Sequence, residues 1–241
     1  MSGGAYTALS GMLTRIGELD RLASDLANVG TAGYKTERAA RVAAERDRQR
    51  FRLALDSAVD VTDGGRRVDF RAGSLATTGR DLDMAIDGRG FFVITTPNGQ
   101  RYTRNGSFTR RADGLLTTAE GEPVLGENGQ IRLGPGKITA DQDGTIRTGE
   151  TIAGRLRVVD FDESNIDRES GARFRAMPGV KPRPATGKVM GGSLEQANVG
   201  VVDRMVALTE IKRSFEALQR GATVLMNDVD GRAINELGRR T

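Results

Sequence analysis

The chain has 241 residues, enough for one sizeable domain or two small ones, and it contains neither histidine nor cysteine. This excludes zinc sites of His and Cys, Ser-His-Asp triads, cysteine nucleophiles and disulfides, and it leaves carboxylate-only chemistry as a formal possibility. We expect no cofactor and no metal site. The net charge of +4 would suit a nucleic-acid partner, but arginine is interleaved with aspartate and glutamate, and aromatic residues make up only 5%. We therefore expect no nucleic-acid partner.

An amphipathic helix is predicted over residues 4–28. Its apolar stripe, at alternating intervals of three and four residues, consists of Leu9, Met12, Ile16, Leu19, Ala23 and Leu26. Gly11 and Gly17 lie inside this helix and each costs about 1 kcal/mol relative to alanine. We expect the helix to depend on packing against a partner, and residues 28–30 to end it.

Residues 36–57 leave two interpretations open. The segment is rich in helix-forming residues, which predicts a second, short helix. An extended charged connector explains the same composition nearly as well.

From Val59 onward the sequence has the pattern of an all-β region. Turn signals of the Asp-Gly and Asn-Gly type recur as far as residue 144. Residues 91–103 predict a hairpin with Pro97-Asn98-Gly99 at its turn, and residues 155–161 predict a further strand.

The last quarter of the chain predicts a linker and a second helix. Three of the six prolines lie within residues 178–188, which excludes a helix or a central strand there and indicates a link out of the β region. The helix is expected to begin near Val201, with Asn198 as its cap, and Arg204 occupies a position of its apolar stripe. The stripe consists of Leu208, Ile211, Phe215, Leu218, Ala222, Leu225 and Val229.

The two stripes determine the predicted fold class. A narrow apolar stripe needs a partner helix, and the two ends of the chain are natural partners for each other. We expect a mostly β protein with paired N- and C-terminal α-helices, in which a central all-β domain is looped out from a terminal coiled-coil-like helical core. The predicted parts are an N-terminal helix with the segment after it (1–35), a connector that is partly helical or extended (36–80), the β domain (81–185), and a return segment with the C-terminal helix (186–241).

Three short patterns resemble reactive or binding sites, and each has a plainer explanation. Residues 141–144 begin like a calcium loop but lack its later ligands, so a hairpin turn is favoured. The acidic residues within 160–163 could form a glycosidase-like pair, although solvation of a strand end explains them better. Gly88-Arg89-Gly90 has two glycines of a nucleotide-binding fingerprint, but Phe91-Phe92 follows where a helix should begin. We predict no catalytic, cofactor-binding or metal-binding residue.

No stretch reaches the roughly 18 to 20 apolar residues that cross a bilayer. The N-terminus also lacks a cationic segment followed by an apolar run. We therefore expect no membrane insertion and no cleaved signal peptide.

Four stretches, in order along nearly the whole chain, resemble motifs of the bacterial flagellar rod and hook protein family. Residues 24–35 resemble LANxxTxGYK, 82–92 resemble LDxAIxGxGFF, 102–108 resemble YTRxGxF, and 192–199 resemble GxLExSNV with Ala197 in place of the commoner serine. In the first and last motifs the matching residues are Leu26, Ala27, Asn28, Thr31, Gly33, Tyr34, Lys35, Leu194, Glu195, Asn198 and Val199.

The resemblance implies a structural subunit rather than an enzyme. Family members are expected to form a helical tube that transmits motor torque to the hook, with terminal helices inside and β domains outside. The expected partners are further copies of the chain, other rod and axial proteins, and the flagellar type III export apparatus. The expected location is the rod of the basal body, which spans the periplasm. The assembly residues would be Leu9, Met12, Ile16, Leu19, Leu26, Leu208, Ile211, Phe215, Leu218 and Leu225.

Two alternatives remain open at the level of the sequence. The tail at residues 227–239 resembles the proximal-rod branch of the family more than the distal-rod branch, so a distal-rod subunit is the nearer alternative. The other is an envelope protein of β structure that binds or hydrolyses polysaccharide. The apolar stripes at both ends and the scarcity of aromatic residues for stacking on sugars argue against it.

Overall fold

The computed structural model describes residues 3–39 and 66–237. These residues belong to two compact units. The helical unit contains residues 3–27 and 200–237, and the β unit contains Asn28–Arg38 and Arg67–Val199. The domain boundaries that the sequence predicts at residues 35, 80 and 185 stay predictions.

The helical unit contains α1 (Gly3–Ala27) and α2 (Val201–Leu237). The helix predicted over residues 4–28 is thus confirmed to within one residue at each end, and α2 begins at the predicted residue. A Cβ atom at Gly11 would lie 3.4 Å from Leu218 Cδ1, and Asp25 Oδ2 lies 3.2 Å from Arg204 Nε. Gly11, early in α1, thus lies near Leu218 in the middle of α2, and Asp25, at the end of α1, lies near Arg204 at the start of α2. The helices therefore run antiparallel.

The predicted coiled-coil-like core is wrong. Its stripe in α1 requires Ile16 and Ala23 to be buried, but both are exposed, Ile16 to 43%. Among the residues of α1 whose burial is described, 11–27, the buried ones are instead Leu22 and Asp25, which lie outside the stripe. A seven-residue repeat indicates which residues share a helix face, whereas their burial depends on what packs against that face. The fold is corrected to a mostly β chain with two α-helices and a central β domain.

The β unit is built from many short strands. The first are β1 (Glu37–Ala39), β2 (Arg66–Val68), β3 (Leu75–Thr77), β4 (Met84–Asp87), β5 (Phe91–Thr96), β6 (Gly99–Thr103) and β7 (Phe108–Arg110). The middle ones are β8 (Leu116–Thr118), β9 (Leu125–Gly126), β10 (Gly129–Gln130), β11 (Ile138–Ala140), β12 (Thr145–Thr148) and β13 (Thr151–Arg155). The last are β14 (Val158–Asp160), β15 (Ile166–Ser170), β16 (Arg173–Ala176), β17 (Arg183–Pro184), β18 (Lys188–Gly191) and β19 (Ser193–Glu195), with a 3₁₀ turn at Glu163–Asn165 before β15.

A six-stranded sheet in the order β15-β16-β6-β5-β14-β17 is the largest sheet of the described residues. All five of its strand pairings are antiparallel. A three-stranded sheet has the order β11-β12-β13, and the remaining pairs are β1-β2, β3-β19, β4-β18, β7-β8 and β9-β10. The pairs β3-β19 and β4-β18 join the early part of the β unit to its last two strands.

The sheet carries a hydrophobic core on each face, because side chains alternate along β5. Phe92 and Ile94 belong to one core, and Phe91 and Val93 belong to the other. The first core also contains Met84, Ile86, Phe108, Leu116, Val124, Ile131, Leu133, Ile138, Ile146, Leu156 and Val189. The second also contains Tyr102, Val159, Phe161, Ile166 and Phe174. Burial on both faces explains why β5 reads as a continuous apolar run.

The hairpin predicted over residues 91–103 is confirmed. Strands β5 and β6 pair from Phe92 with Thr103 to Thr96 with Gly99, and Pro97-Asn98 form the turn. Gly99 has a φ of 99°, a conformation that side chains with a Cβ rarely adopt. The turn predicted at residues 141–144 is also confirmed, since it connects β11 to β12.

Three other predictions are corrected or fall outside the described residues. The strand predicted over 155–161 is confirmed only in part, because β13 ends at Arg155 and β14 begins at Val158 in a different sheet. The proline-rich segment 178–188 is not a link out of the β unit, since it contains β17 at the edge of the six-stranded sheet. Residues 37–39 form β1, and residues 40–57 of the possible second helix are not among those described.

Neither helix, over its described residues, is both long and apolar enough to cross a membrane.

We predict that Gly106→Ala destabilises the β unit. A Cβ at Gly106 would lie 1.6 Å from the carbonyl oxygen of Met84 and 3.1 Å from the Phe92 ring. The segment cannot easily move away, because Met84 N donates a hydrogen bond to Gly106 O at 3.0 Å. We expect a loss of about 3 kcal/mol in the free energy of unfolding, at the upper end of the range for overpacking, measured by urea denaturation.

Gly134→Ala is the matched control. A Cβ there would meet its nearest neighbour, Thr148 Cγ2, at 3.7 Å, an ordinary van der Waals contact. We expect a change within about 0.5 kcal/mol. Equal losses in the two variants would contradict a steric explanation for Gly106.

Candidate functional site

Lys35 and Glu195 form a fully buried ion pair. Lys35 follows α1 after a short turn, and Glu195 is the last residue of β19. Neither side chain is exposed to solvent. Lys35 Nζ donates hydrogen bonds to Glu195 Oε1 and, at 2.8 Å, to the carbonyl oxygen of Arg71. The pair therefore joins the first and last segments of the β unit, across 160 residues of sequence.

Arg104 supplies a second cation to the same carboxylate. Its Nη1 lies 3.3 Å from Glu195 Oε2, and the backbone N–H of Gly73 donates to Glu195 Oε1 at 2.9 Å. We refer to Lys35, Arg104 and Glu195 as the buried ion cluster. Burial lowers the pKa of Lys35 and of Arg104, because removal from water disfavours their charged forms, and the charge of Glu195 opposes that shift in both.

Arg104 also connects the cluster to the chain around β4. Its Nη1 donates to the carbonyl oxygen of Ile86 at 3.1 Å and its Nη2 to that of Gly88 at 2.7 Å. Its guanidinium lies 5.5 Å from the centroid of the Phe91 ring. Ile86 and Gly88 belong to the second motif, Arg104 to the third and Glu195 to the fourth, so one side chain connects three motifs.

Gly33 brings the first motif against the third. Its φ is 68°, and a Cβ there would lie 2.2 Å from the carbonyl carbon of Arg104. Gly33 N also donates to the backbone oxygen of Glu195 at 2.7 Å. Only glycine combines this left-handed conformation with the absence of a side chain, which explains the glycine of the first motif.

Asn198 bridges three separate segments instead of capping α2. Its Oδ1 accepts a hydrogen bond from Thr36 N at 2.6 Å, and its Nδ2 donates to the carbonyl oxygen of Asp69 at 2.7 Å. Its backbone N–H donates to the carbonyl oxygen of Tyr34 at 3.2 Å. The predicted cap is therefore wrong: asparagine suits a helix start because it bonds backbone groups, and here the same capacity joins segments that are far apart in the sequence.

Tyr34 is buried beneath Arg168, a residue that the sequence did not indicate as part of the site. The Arg168 guanidinium lies 4.4 Å from the centroid of the Tyr34 ring, a cation–π contact. Arg168 Nε lies 2.9 Å from Glu37 Oε1, and its Nη2 donates to the carbonyl oxygen of Lys35. Arg168 lies on β15 among alternating charges typical of an exposed strand, so no local signal could have identified it.

The turn after α1 is closed by two residues of the first motif. Thr31 N donates to the carbonyl oxygen of Asn28 at 3.0 Å, and Thr31 Oγ1 donates to Asn28 Oδ1 at 3.3 Å. Of the remaining residues of the first and last motifs, Ala27 is exposed, and Leu26, Leu194 and Val199 are half-buried.

The predicted assembly residues are not gathered into one buried seam. Ile16 is exposed, and Leu9 and Leu225 lie in α1 and α2 with side chains outside the described part of the structure. Half-buried positions are Met12, Leu19, Leu26, Leu208, Ile211, Phe215 and Leu218. Their assignment to subunit contacts stays a prediction.

The acidic residues within 160–163 and the glycine pattern at 88–90, which resemble site motifs in the sequence, make contacts within the fold. Asp160 pairs with Arg89 at 3.1 Å, and Asp162 pairs with Arg183 at 2.6 Å. The backbone at Gly88 lies against Gly187, whose Cα would be 3.1 Å from an added Cβ. In the described ranges, no group of three or more acidic side chains is arranged to hold a metal ion.

Comparison with known proteins identifies the family. Residues 85–148 match the model of the flagellar hook protein FlgE/F/G D1 domain, and residues 190–224 match that of the flagellar basal body rod FlgEFG protein C-terminal region. The flagellar basal-body rod protein FlgF of Caulobacter vibrioides is 35% identical over 91% of this chain and 92% of its own length. The chain belongs to the flagellar basal-body rod protein family.

Two further rod proteins are similar over most of their length. FlgF of Rhizobium meliloti is 33% identical over 99% of both chains, and FlgG of Bacillus subtilis is 31% identical over 88% of this chain and 90% of its own. Of these three relatives, the two FlgF proteins are the more similar, so this is a FlgF-like structural subunit of the flagellar basal-body rod. The buried ion cluster joins the two matched regions of the rod protein, since Arg104 lies in the first and Glu195 in the second.

We predict that Glu195→Gln destabilises the rod protein more than Lys35→Met does. Without the carboxylate, Lys35 and Arg104 are two buried cations facing each other, and breaking a buried pair in this way costs about 3–5 kcal/mol. Lys35→Met leaves Glu195 paired with Arg104, so its loss is smaller. Urea denaturation of both purified variants measures the difference, and the reverse order would contradict the proposed charge balance.

The pH dependence of stability gives a second test of the Glu195→Gln variant. In Glu195→Gln, burial still lowers the pKa of Lys35, and the opposing charge is gone. The folded state then binds fewer protons than the unfolded state, so its stability rises as the pH increases toward 10.5, the ordinary value for lysine. The double variant Lys35→Met/Glu195→Gln lacks this group and should not show that rise.

Proposed function

We propose that this rod protein is a proximal-rod subunit that passes torque to its neighbours through subunit contacts and catalyses no reaction. The observation that carries the proposal is the 35% identity to a FlgF rod protein over 91% of the chain, together with a buried ion cluster that joins the regions matched by the family models. The similarity to a FlgG rod protein over 88% of the chain keeps a distal-rod subunit as the second candidate.

The buried ion cluster suits a part that carries mechanical load. The chain enters the β unit at Asn28 and leaves it at Val199. Lys35 and Glu195 link these two ends directly, so force applied at either end reaches the other through an ion pair and its hydrogen bonds. Water cannot compete for these bonds because both side chains are fully buried. A stiff connection between entry and exit follows from this arrangement.

Exposed apolar residues of the helices support a role in assembly. Leu13 is 61% exposed and Val202 is 73% exposed, and Ile16, Met205 and Val206 are exposed as well. Burial of apolar surface stabilises association by about 25 cal/mol per Å². We assign the subunit contacts to these helix faces together with the half-buried stripe residues.

The proposed partners are further copies of the chain, other axial proteins and the flagellar type III export apparatus. The proposed location is the periplasm-spanning rod. Nucleic acid is not proposed as a partner, because many arginines pair with neighbouring carboxylates, such as Arg101 with Glu169 and Arg111 with Asp113.

The experiment that tests assembly is Ile16→Asp as the sole copy in its host. A charge at a subunit contact must be buried without a partner, so we expect loss of motility and of completed basal bodies. The matched control is Ile152→Asp, the same change at an exposed residue of β13, which we expect to remain motile. Both purified variants should keep their stability within about 0.5 kcal/mol. Motility of Ile16→Asp cells would remove α1 from the subunit contacts.

A second experiment tests the export partner. We predict that deletion of residues 3–27, which removes α1 and leaves the β unit complete, abolishes secretion. Truncation after Val199, which removes α2, should leave secretion intact and block only assembly. Immunoblots of culture medium and cells measure both. Secretion of the N-terminal deletion, or retention of the truncated chain at normal expression, would contradict this placement of the export signal.

A further inference from the structure

Asp25 and Arg204 form an ion pair between the last turns of α1 and the first turn of α2. Asp25 Oδ2 lies 3.2 Å from Arg204 Nε, and the Asp25 side chain has no solvent exposure while that of Arg204 keeps 24%. Arg204 is also held at the start of α2, where its backbone N–H donates to the carbonyl oxygen of Gly200 at 3.0 Å.

A buried carboxylate needs its cation at one particular place. Sliding α1 along α2 by one helical turn moves it by about 5.4 Å, which separates Asp25 from Arg204, and breaking a buried ion pair in this way is costly. Apolar contacts do not impose such a position, because hydrophobic attraction has no preferred direction. After such a shift, the half-buried apolar side chains near Gly11 and Leu218 could pack against other, similar apolar side chains.

We propose that Asp25 and Arg204 are the residues that determine the axial register of α1 against α2. The consequence for assembly rests on the proposed function. Leu13 and Ile16 are exposed on α1, and Met205 and Val206 are exposed on α2. One register holds these two apolar patches at a constant offset, so every subunit presents the same surface to its neighbours.

The register can be read by disulfide trapping in the full chain, which has no cysteine of its own. The native pair is Gly11→Cys with Leu218→Cys, since a Cβ at Gly11 would lie 3.4 Å from Leu218 Cδ1. The shifted pair is Gly11→Cys with Ser214→Cys, one turn earlier on α2. With Asp25 and Arg204 present, we expect the native pair to form its disulfide faster by about tenfold or more.

The decisive variant replaces both charged residues, as Asp25→Leu/Arg204→Leu. Apolar replacement of a buried ion pair commonly preserves stability and can lose specificity. We expect the rate ratio of native to shifted disulfide to fall by at least about fivefold, with helix content by circular dichroism unchanged. The matched control is Asp20→Leu/Arg213→Leu, an exposed acid and base on the same two helices, which should keep the ratio. An unchanged ratio in Asp25→Leu/Arg204→Leu would overturn the proposal.

Charge exchange tests the proposal even if the leucine variant loses its helices. Asp25→Arg and Arg204→Asp should each lower the ratio, and the two together should restore it. Failure of the double exchange to restore a ratio that both single changes lower would also overturn the proposal. Because trapping is done on the purified subunit, its outcome is independent of rod assembly. Motility assays of the same variants then report on the proposed function separately.

Discussion

The burial of one carboxylate beside two cations is the constraint on which the β unit depends. Lys35, Arg104 and a backbone N–H replace the hydration that the carboxylate of Glu195 loses on burial. Each cation is then held by carbonyl oxygens of other segments, those of Arg71 and Ile86 among them. The segments that enter and leave the β unit are thereby attached to the strands between them.

The helical unit uses the same physical device. Asp25 is buried completely and faces Arg204, as Glu195 faces Lys35 and Arg104. The apolar cores supply most of the driving force for folding but are tolerant of position. A buried ion pair adds little net stability and yet excludes most other arrangements. Each unit thus combines adaptable apolar packing with one directional contact.

The motifs that relate this chain to flagellar rod proteins are determinants of shape. Gly33 leaves space for the backbone at Arg104, and Asn198 bonds two other segments, at residues 34–36 and at Asp69, through its amide and its backbone N–H. Lys35 and Glu195 hold each other in the interior rather than facing a solvent-filled cleft. This is what a structural subunit requires, because its function is the maintenance of a geometry.

The sequence by itself determined the elements that depend on neighbouring residues. The span of α1, the start of α2, the hairpin at residues 91–103 and the turn at 141–144 follow from apolar periodicity and from glycine in turns. The four motifs were also enough to indicate the family.

Only the tertiary structure decided which charged and polar residues lie inside. Lysine and glutamate are usually exposed, so nothing local indicated that Lys35 would meet Glu195 at a distance of 160 residues along the chain. For the same reason the stripe of α1 placed Ile16 inside, whereas the structure buries Asp25. Backbone conformation responds to adjacent residues, but burial and ion pairing depend on what the rest of the chain brings to each side chain.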